Sequence, residues 1–225
     1  MRPIVFLTLG FAPIIALGMY LYFTNRHGKS FGMLLLKAFL AGAFGIVVLL
    51  AAELLSTILG LNELRNLKRV LFFSFITIAG GSELGKFIFY RYFIIPKNEV
   101  NKPLHGITFS IMTALGFSTV ALVFFILNPF GTSAAFPATL YAFIFVPANI
   151  LFSVIMGFFV GMSKFLKTRV VYSLTGLVGA AFFHGIFNFC MITQDFKLLS
   201  LFSFGSTVIV FILGMKAAFT EPEQS

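Results

Sequence analysis

Glu83 and Lys86 lie three residues apart in one long apolar stretch, and His184 and Asn188 lie four apart in another, Phe182-Phe183-His184-Gly185-Ile186-Phe187-Asn188. On a helix each pair shares a face. A carboxylate and an ammonium at that spacing neutralise each other, which predicts either an intrahelical ion pair turned into a bundle or a catalytic carboxylate held by its counter-ion. An imidazole and a carboxamide four residues apart can stabilise an oxyanion. They are also the kind of polar glue that joins membrane helices. Ser82, Ser110 and Asn149 are uncharged polar companions in similar surroundings, and Glu53 stands near the end of its stretch, within reach of a polar interface.

A metal centre asks for more. Catalytic zinc takes three protein ligands from His, Glu, Asp or Cys and keeps a further position open. Here only Glu83 and His184 are placed well inside apolar stretches. His105 follows Pro103 at the start of a stretch, His27 sits in a basic loop, and the single Cys190 can build neither a thiolate site nor an internal disulfide. The ligand count argues against a standard zinc centre, and a metal, if bound, would use Glu83 and His184.

The elements that must carry these residues follow from composition. Of 225 residues, 59% are hydrophobic and 10% charged, and the mean hydropathy of +1.02 is far above that of a water-soluble domain. The apolar stretches are apolar nearly all the way round, so lipid is the solvent for most of this surface. The fold expected is all-α, a polytopic transmembrane helical bundle of about seven helices. Its stretches are about Ile4 to Phe23, Met33 to Leu61, Val70 to Ile95, Leu104 to Leu127, Ala138 to Met162, Val170 to Ile192 and Leu198 to Phe219. The first reads as an uncleaved helix rather than a signal peptide, its apolar run being too long for the latter. Short connections leave no room for a soluble domain, so residues 1–225 form a single membrane-embedded domain with a short solvated tail at 220–225.

The formal charge of +9 does not point to nucleic acid. The basic residues sit in short clusters between apolar runs, such as Arg26/Lys29 and Lys164/Lys167/Arg169, where they act as topology determinants and headgroup contacts. Counted on alternate sides of the stretches, ten lysines and arginines face five. This excess predicts a multi-pass protein with its amino terminus outside and its carboxyl terminus in the cytoplasm.

The order of Glu83-Leu84-Gly85-Lys86, Pro103-Leu104-His105-Gly106-Ile107, Ala114-Leu115-Gly116-Phe117, the segment from Asn149 to Gly157, and His184-Gly185-Ile186-Phe187-Asn188 resembles the PrsW family of intramembrane proteases. That family belongs with the wider CAAX-protease and bacteriocin-processing group of membrane peptidases. The resemblance spans roughly residues 10 to 192 and rests on order and spacing. The family pattern Glu-Glu-x-x-Lys reads Ser82-Glu83-Leu84-Gly85-Lys86 here, so the first Glu is replaced. A further family Glu falls on Ala121, the Asp before Gly-Ile falls on His105, and the middle His falls on Asn149 in Phe145-Val146-Pro147-Ala148-Asn149. His184 with Asn188 keeps a form that the wider group also uses. In that group the first Glu and middle His resemble a water-activating pair, and the last His and Asn an oxyanion-stabilising pair.

The resemblance therefore implies a bacterial inner-membrane protein with a protease fold and a degenerate active site, a pseudoprotease that binds a membrane peptide or protein partner. Peptide hydrolysis needs water activated by a base or a metal, and Ser82 and Asn149 supply neither. The catalytic candidates are Glu83, His184 and Asn188, with Lys86, Asn149 and Ser82 lining the site. The alternative is an active intramembrane endopeptidase using Glu83 and His184, with zinc present only in that case. Lys86, on the face of Glu83, opposes use of that carboxylate as a base. A small transporter or a structural subunit of a membrane complex is a further alternative. The embedded polar residues gather on the third, fifth and sixth stretches and do not form a line across the bilayer, which weighs against transport. The 33 Phe without any Trp fit a subunit no better than they fit plain lipid packing.

Overall fold

A chain that is apolar on every side and surrounded by lipid can satisfy its backbone only within itself, which leaves helices as the solution for these stretches. The computed structural model describes the backbone of residues 2–127 and 138–220, and the side chains of residues 9–124 and 143–220. Among them the chain forms seven helical rods and no strand. These are α1 (Arg2–His27), α2 (Lys29–Ile58), a third rod over Leu67–Ile94, α5 (Pro103–Leu127), α6 (Ala138–Met162), α7 (Arg169–Thr193) and α8 (Phe196–Phe219). Among the described residues, six of them are long and apolar enough to cross a membrane: α2, the third rod, and α5 to α8. The protein is thus an all-α polytopic membrane bundle. The expected tail after Thr220 lies outside the described residues.

The third rod departs from the unbroken helix expected over Val70 to Ile95. It begins three residues earlier at Leu67, where the Asn66 side chain accepts a hydrogen bond from the Arg69 amide at 3.0 Å and so satisfies one of the orphan donors of the first turn. It then runs as α3 (Leu67–Phe72), a π-helical stretch Phe73–Gly80, α4 (Gly81–Phe89) and a second π-helical stretch Tyr90–Ile94. Wide turns of this kind re-aim the faces on either side of them. Glu83 and Lys86 fall inside α4, so their shared face survives.

Glycines let three rods approach closely at that level. A Cβ at Gly42 of α2 would run into the backbone carbonyl of Thr113 on α5, and one at Gly116 of α5 into that of Phe39. Gly45 and Gly85 meet in the same way, bringing α2 against α4. Such small-residue contacts replace the hydrophobic drive that lipid removes. The core sits around α5, where 72% of the residues in an apolar 18-residue window are buried, whereas in α8 the share is only 11%. Pro13 and Pro147 lie inside α1 and α6, where packed neighbours make an interrupted ladder tolerable. The α7–α8 corner is made by Gln194 at φ 58 followed by Asp195, whose carboxylate accepts from the Leu198 amide at 2.9 Å.

A candidate active site inside the bundle

Three rods bring their polar residues to one point. Glu83 and Lys86 come from α4, Asn149 from α6 and His184 from α7, and each is at most 2% exposed. Lys86 Nζ donates to Glu83 Oε1 at 2.6 Å and to Asn149 Oδ1 at 2.8 Å. Its ammonium also lies over the Phe117 ring, 5.1 Å from the centroid, within the range of a cation–π contact. Both polar atoms of the Asn149 side chain have partners, since its Nδ2 donates to the Phe145 carbonyl at 3.1 Å.

His184 Nδ1 lies 2.7 Å from Glu83 Oε1. An ionised carboxylate only accepts, so the ring proton belongs on Nδ1. One ammonium already balances one carboxylate, and a neutral ring leaves the cluster without net charge, the cheapest state in a medium of low dielectric. The ring is fixed by stacking on Phe152, at 4.9 Å between centroids and 22° between planes. Three buried polar atoms around this centre have no hydrogen-bond partner among the described residues: Glu83 Oε2, His184 Nε2 and Asn188 Nδ2.

Of the residues singled out from sequence, Glu83, Lys86, Asn149 and His184 are joined directly. Asn188 is buried one turn beyond His184, and Ser82 is buried next to Glu83 in the chain. Ala121 is buried in the core. Ser110 packs against Gly157 at the α5–α6 crossing. The other candidates lie elsewhere. His105 donates from Nδ1 to the Glu99 carbonyl at 2.9 Å and stands edge-on to His27 and Phe31, an aromatic cluster joining the end of α1 to the start of α5. Glu53 is half-buried near the end of α2. Two further contributors are Phe117 under the ammonium and Phe152 against the imidazole. Both lie in segments that carry the family resemblance, Ala114-Leu115-Gly116-Phe117 and Asn149 to Gly157, but nothing in the sequence assigned either ring to the polar site.

Among the described residues no group of three or more His, Cys, Asp or Glu side chains is gathered as metal ligands would be. The arrangement is a buried ion pair with an imidazole attached to it.

Comparison with known proteins relates the chain to a protein family. The chain is 26% identical to Protease PrsW of Geobacillus kaustophilus over 190 residues, covering 84% of this chain and 80% of that protein. It is 26% identical to Protease PrsW of Clostridioides difficile over 83% of this chain and 79% of that one. With Protease PrsW of Oceanobacillus iheyensis it shares 25% identity over 93% and 92% of the two chains. No solved structure matches it significantly. Residues 31–215, well over half the chain and including all four joined residues, match the family model described as PrsW family intramembrane metalloprotease, and the chain belongs to that family.

Proposed function

We propose that this PrsW-family protein keeps the protease scaffold with a degenerate site, and holds a membrane peptide or protein partner without efficiently hydrolysing it. The observation that carries this reading is the Lys86 ammonium, 2.6 Å from Glu83 and 2.8 Å from Asn149. It holds the carboxylate in a neutral pair, and no second carboxylate joins the cluster among the described residues. The family description implies a catalytic metal. The donor set does not fit one: Glu83 Oε2 and His184 Nε2 are two donors where three are needed, and a divalent ion on Glu83 would stand beside a buried ammonium. Ser82 and Asn149, at the positions of the family's water-activating pair, offer no anionic or imidazole ligand.

The oxyanion role expected for His184 also changes. With its proton on Nδ1 and turned to Glu83, the neutral ring presents a lone pair at Nε2, which repels an oxyanion. Together with the Asn188 amide donor and the second Glu83 oxygen, it suits a neutral group that both donates and accepts, such as a backbone amide of a membrane segment. A cleavage assay in proteoliposomes tests the reading. The wild-type protein, Glu83→Ala and His184→Ala should show the same background turnover of a transmembrane peptide, and turnover abolished by either substitution would sink it. The second reading, an active endopeptidase using Glu83 and His184, is favoured by the two unpartnered donors. Zinc retained stoichiometrically through purification would support it.

The excess of lysine and arginine on one side supports an amino terminus outside and a carboxyl terminus in the cytoplasm of a bacterial inner membrane. A membrane-impermeant maleimide applied to intact cells should label Lys197→Cys and spare Lys29→Cys. The reverse pattern would invert the topology.

A further inference from the structure

At the end of the bundle opposite the Lys197 corner, three cations converge around a cavity of about 360 Å³: Arg91 from the second π-helical stretch, Lys164 from the α6–α7 loop and Arg169 from the first turn of α7, with Ile95 and Pro96 completing the lining. Each cation is held differently. Arg91 Nε donates to Ser173 Oγ at 3.1 Å, and Ser173 in turn to Ser163 Oγ at 3.0 Å, which anchors one edge of the guanidinium and leaves its remaining N–H groups for another acceptor. Lys164 Nζ donates to the Lys97 carbonyl at 2.6 Å, which draws the loop over the end of the third rod. Burial holds the Lys164 ammonium below the ordinary lysine range, with Glu99 only partly offsetting it.

Among the described residues no carboxylate lines the cavity and no salt bridge involves these three cations, while the nearby Glu99 carboxylate accepts from Ser30. Arg169 opens α7, and the preceding Thr168 makes no side-chain cap, so the positive end of a 25-residue helix adds to the field. Two arginine guanidiniums and a lysine ammonium form a donor set matched to phosphate oxygens.

We propose that this cavity binds a phosphate group, supplied by the headgroup of an anionic phospholipid. The lipid source follows from depth. Tyr92 and Phe93 beside Arg91, and Val170 and Val171 after Arg169, are turned outward as exposed apolar side chains, so the cavity opens where the apolar belt meets the polar end of the bundle. A phosphate seated there leaves its acyl chains lying along those residues.

The test uses the full chain in detergent, titrated with dioctanoyl phosphatidylglycerol, dioctanoyl phosphatidylcholine or inorganic phosphate, with binding read by calorimetry. Phosphatidylglycerol should bind saturably and phosphatidylcholine much more weakly. Arg91→Gln and Arg169→Gln should each weaken phosphatidylglycerol about fivefold. Lys29→Gln and Lys167→Gln, at the same end but outside the cavity lining, should change it by less than about twofold. Equal weakening by all four substitutions, or equal affinity for the two lipids, would show a diffuse field and overturn the site. Binding of inorganic phosphate alone would overturn the lipid source. Arg169 is exposed and bears no packing contact of the kind Arg91 makes with Ser173, so Arg169→Gln carries the test if Arg91→Gln does not fold.

Discussion

Lys86→Met should destabilise the bundle by about 3–5 kcal/mol, measured by reversible unfolding in mixed micelles. The ammonium is the counter-ion of a fully buried carboxylate and the partner of Asn149 Oδ1. Removing it strands a buried charge and an amide oxygen beside Phe117, Phe145 and Phe152. The size of the effect comes from the stranded Glu83 and not from the worth of the pair itself. The double variant Glu83→Gln/Lys86→Met should therefore recover most of the loss, a coupling of the sign expected for neighbours in one network. A single variant within about 0.5 kcal/mol of wild type would mean that the pair does not hold the three rods together.

The second large effect is a gain. Ser82→Glu combined with Asn149→His should let the protein retain about one zinc per chain and cleave a transmembrane peptide that the wild type leaves intact. The two substitutions would give the cluster two carboxylates and two imidazoles, counting Glu83 and His184. The added carboxylate balances Lys86 and so releases Glu83 from its neutral pair. A positioned base contributes on the order of 10²–10⁴-fold to a rate, enough to separate turnover from background. Metal content and turnover are read separately, and thermal unfolding of the same sample checks that the variant is folded. A folded double variant with neither zinc nor turnover would show that these two positions are not where activity was lost.

Much of the architecture was legible because membrane solvation leaves little choice. Runs apolar on every side had to become helices, and the seven stretches correspond to the seven rods, with ends displaced where caps intervene, as at Asn66 and Gly60. The i, i+3 spacing of Glu83 and Lys86 was enough to pair them, since the α-helical period of α4 is local. Their embedding in apolar sequence also marked Asn149 and His184 as partners to look for. The π-helical stretches on either side of α4 were not legible. Phe73–Gly80 and Tyr90–Ile94 carry no Pro or charge pattern to announce a wider turn, and such turns are set by what α7 and α2 press against them. Arg91 illustrates the same limit: its bond to Ser173, 82 residues away, is a product of packing.

Sequence alone established that this chain lives in a membrane as a bundle of helices, and it offered a short set of embedded polar candidates that includes Glu83, Lys86, Asn149 and His184. Hydropathy and helical period are local properties, and both are written in consecutive residues. Tertiary packing was needed to show that Lys86 bridges Glu83 to Asn149, that His184 turns its protonated nitrogen to the same carboxylate oxygen, and that Phe152 stacks on the imidazole while Phe117 lies under the ammonium. Those contacts join residues up to 101 positions apart. They depend on the glycine-lined approach of α2, α4 and α5 and on the register of α6 and α7, which no stretch of sequence specifies alone.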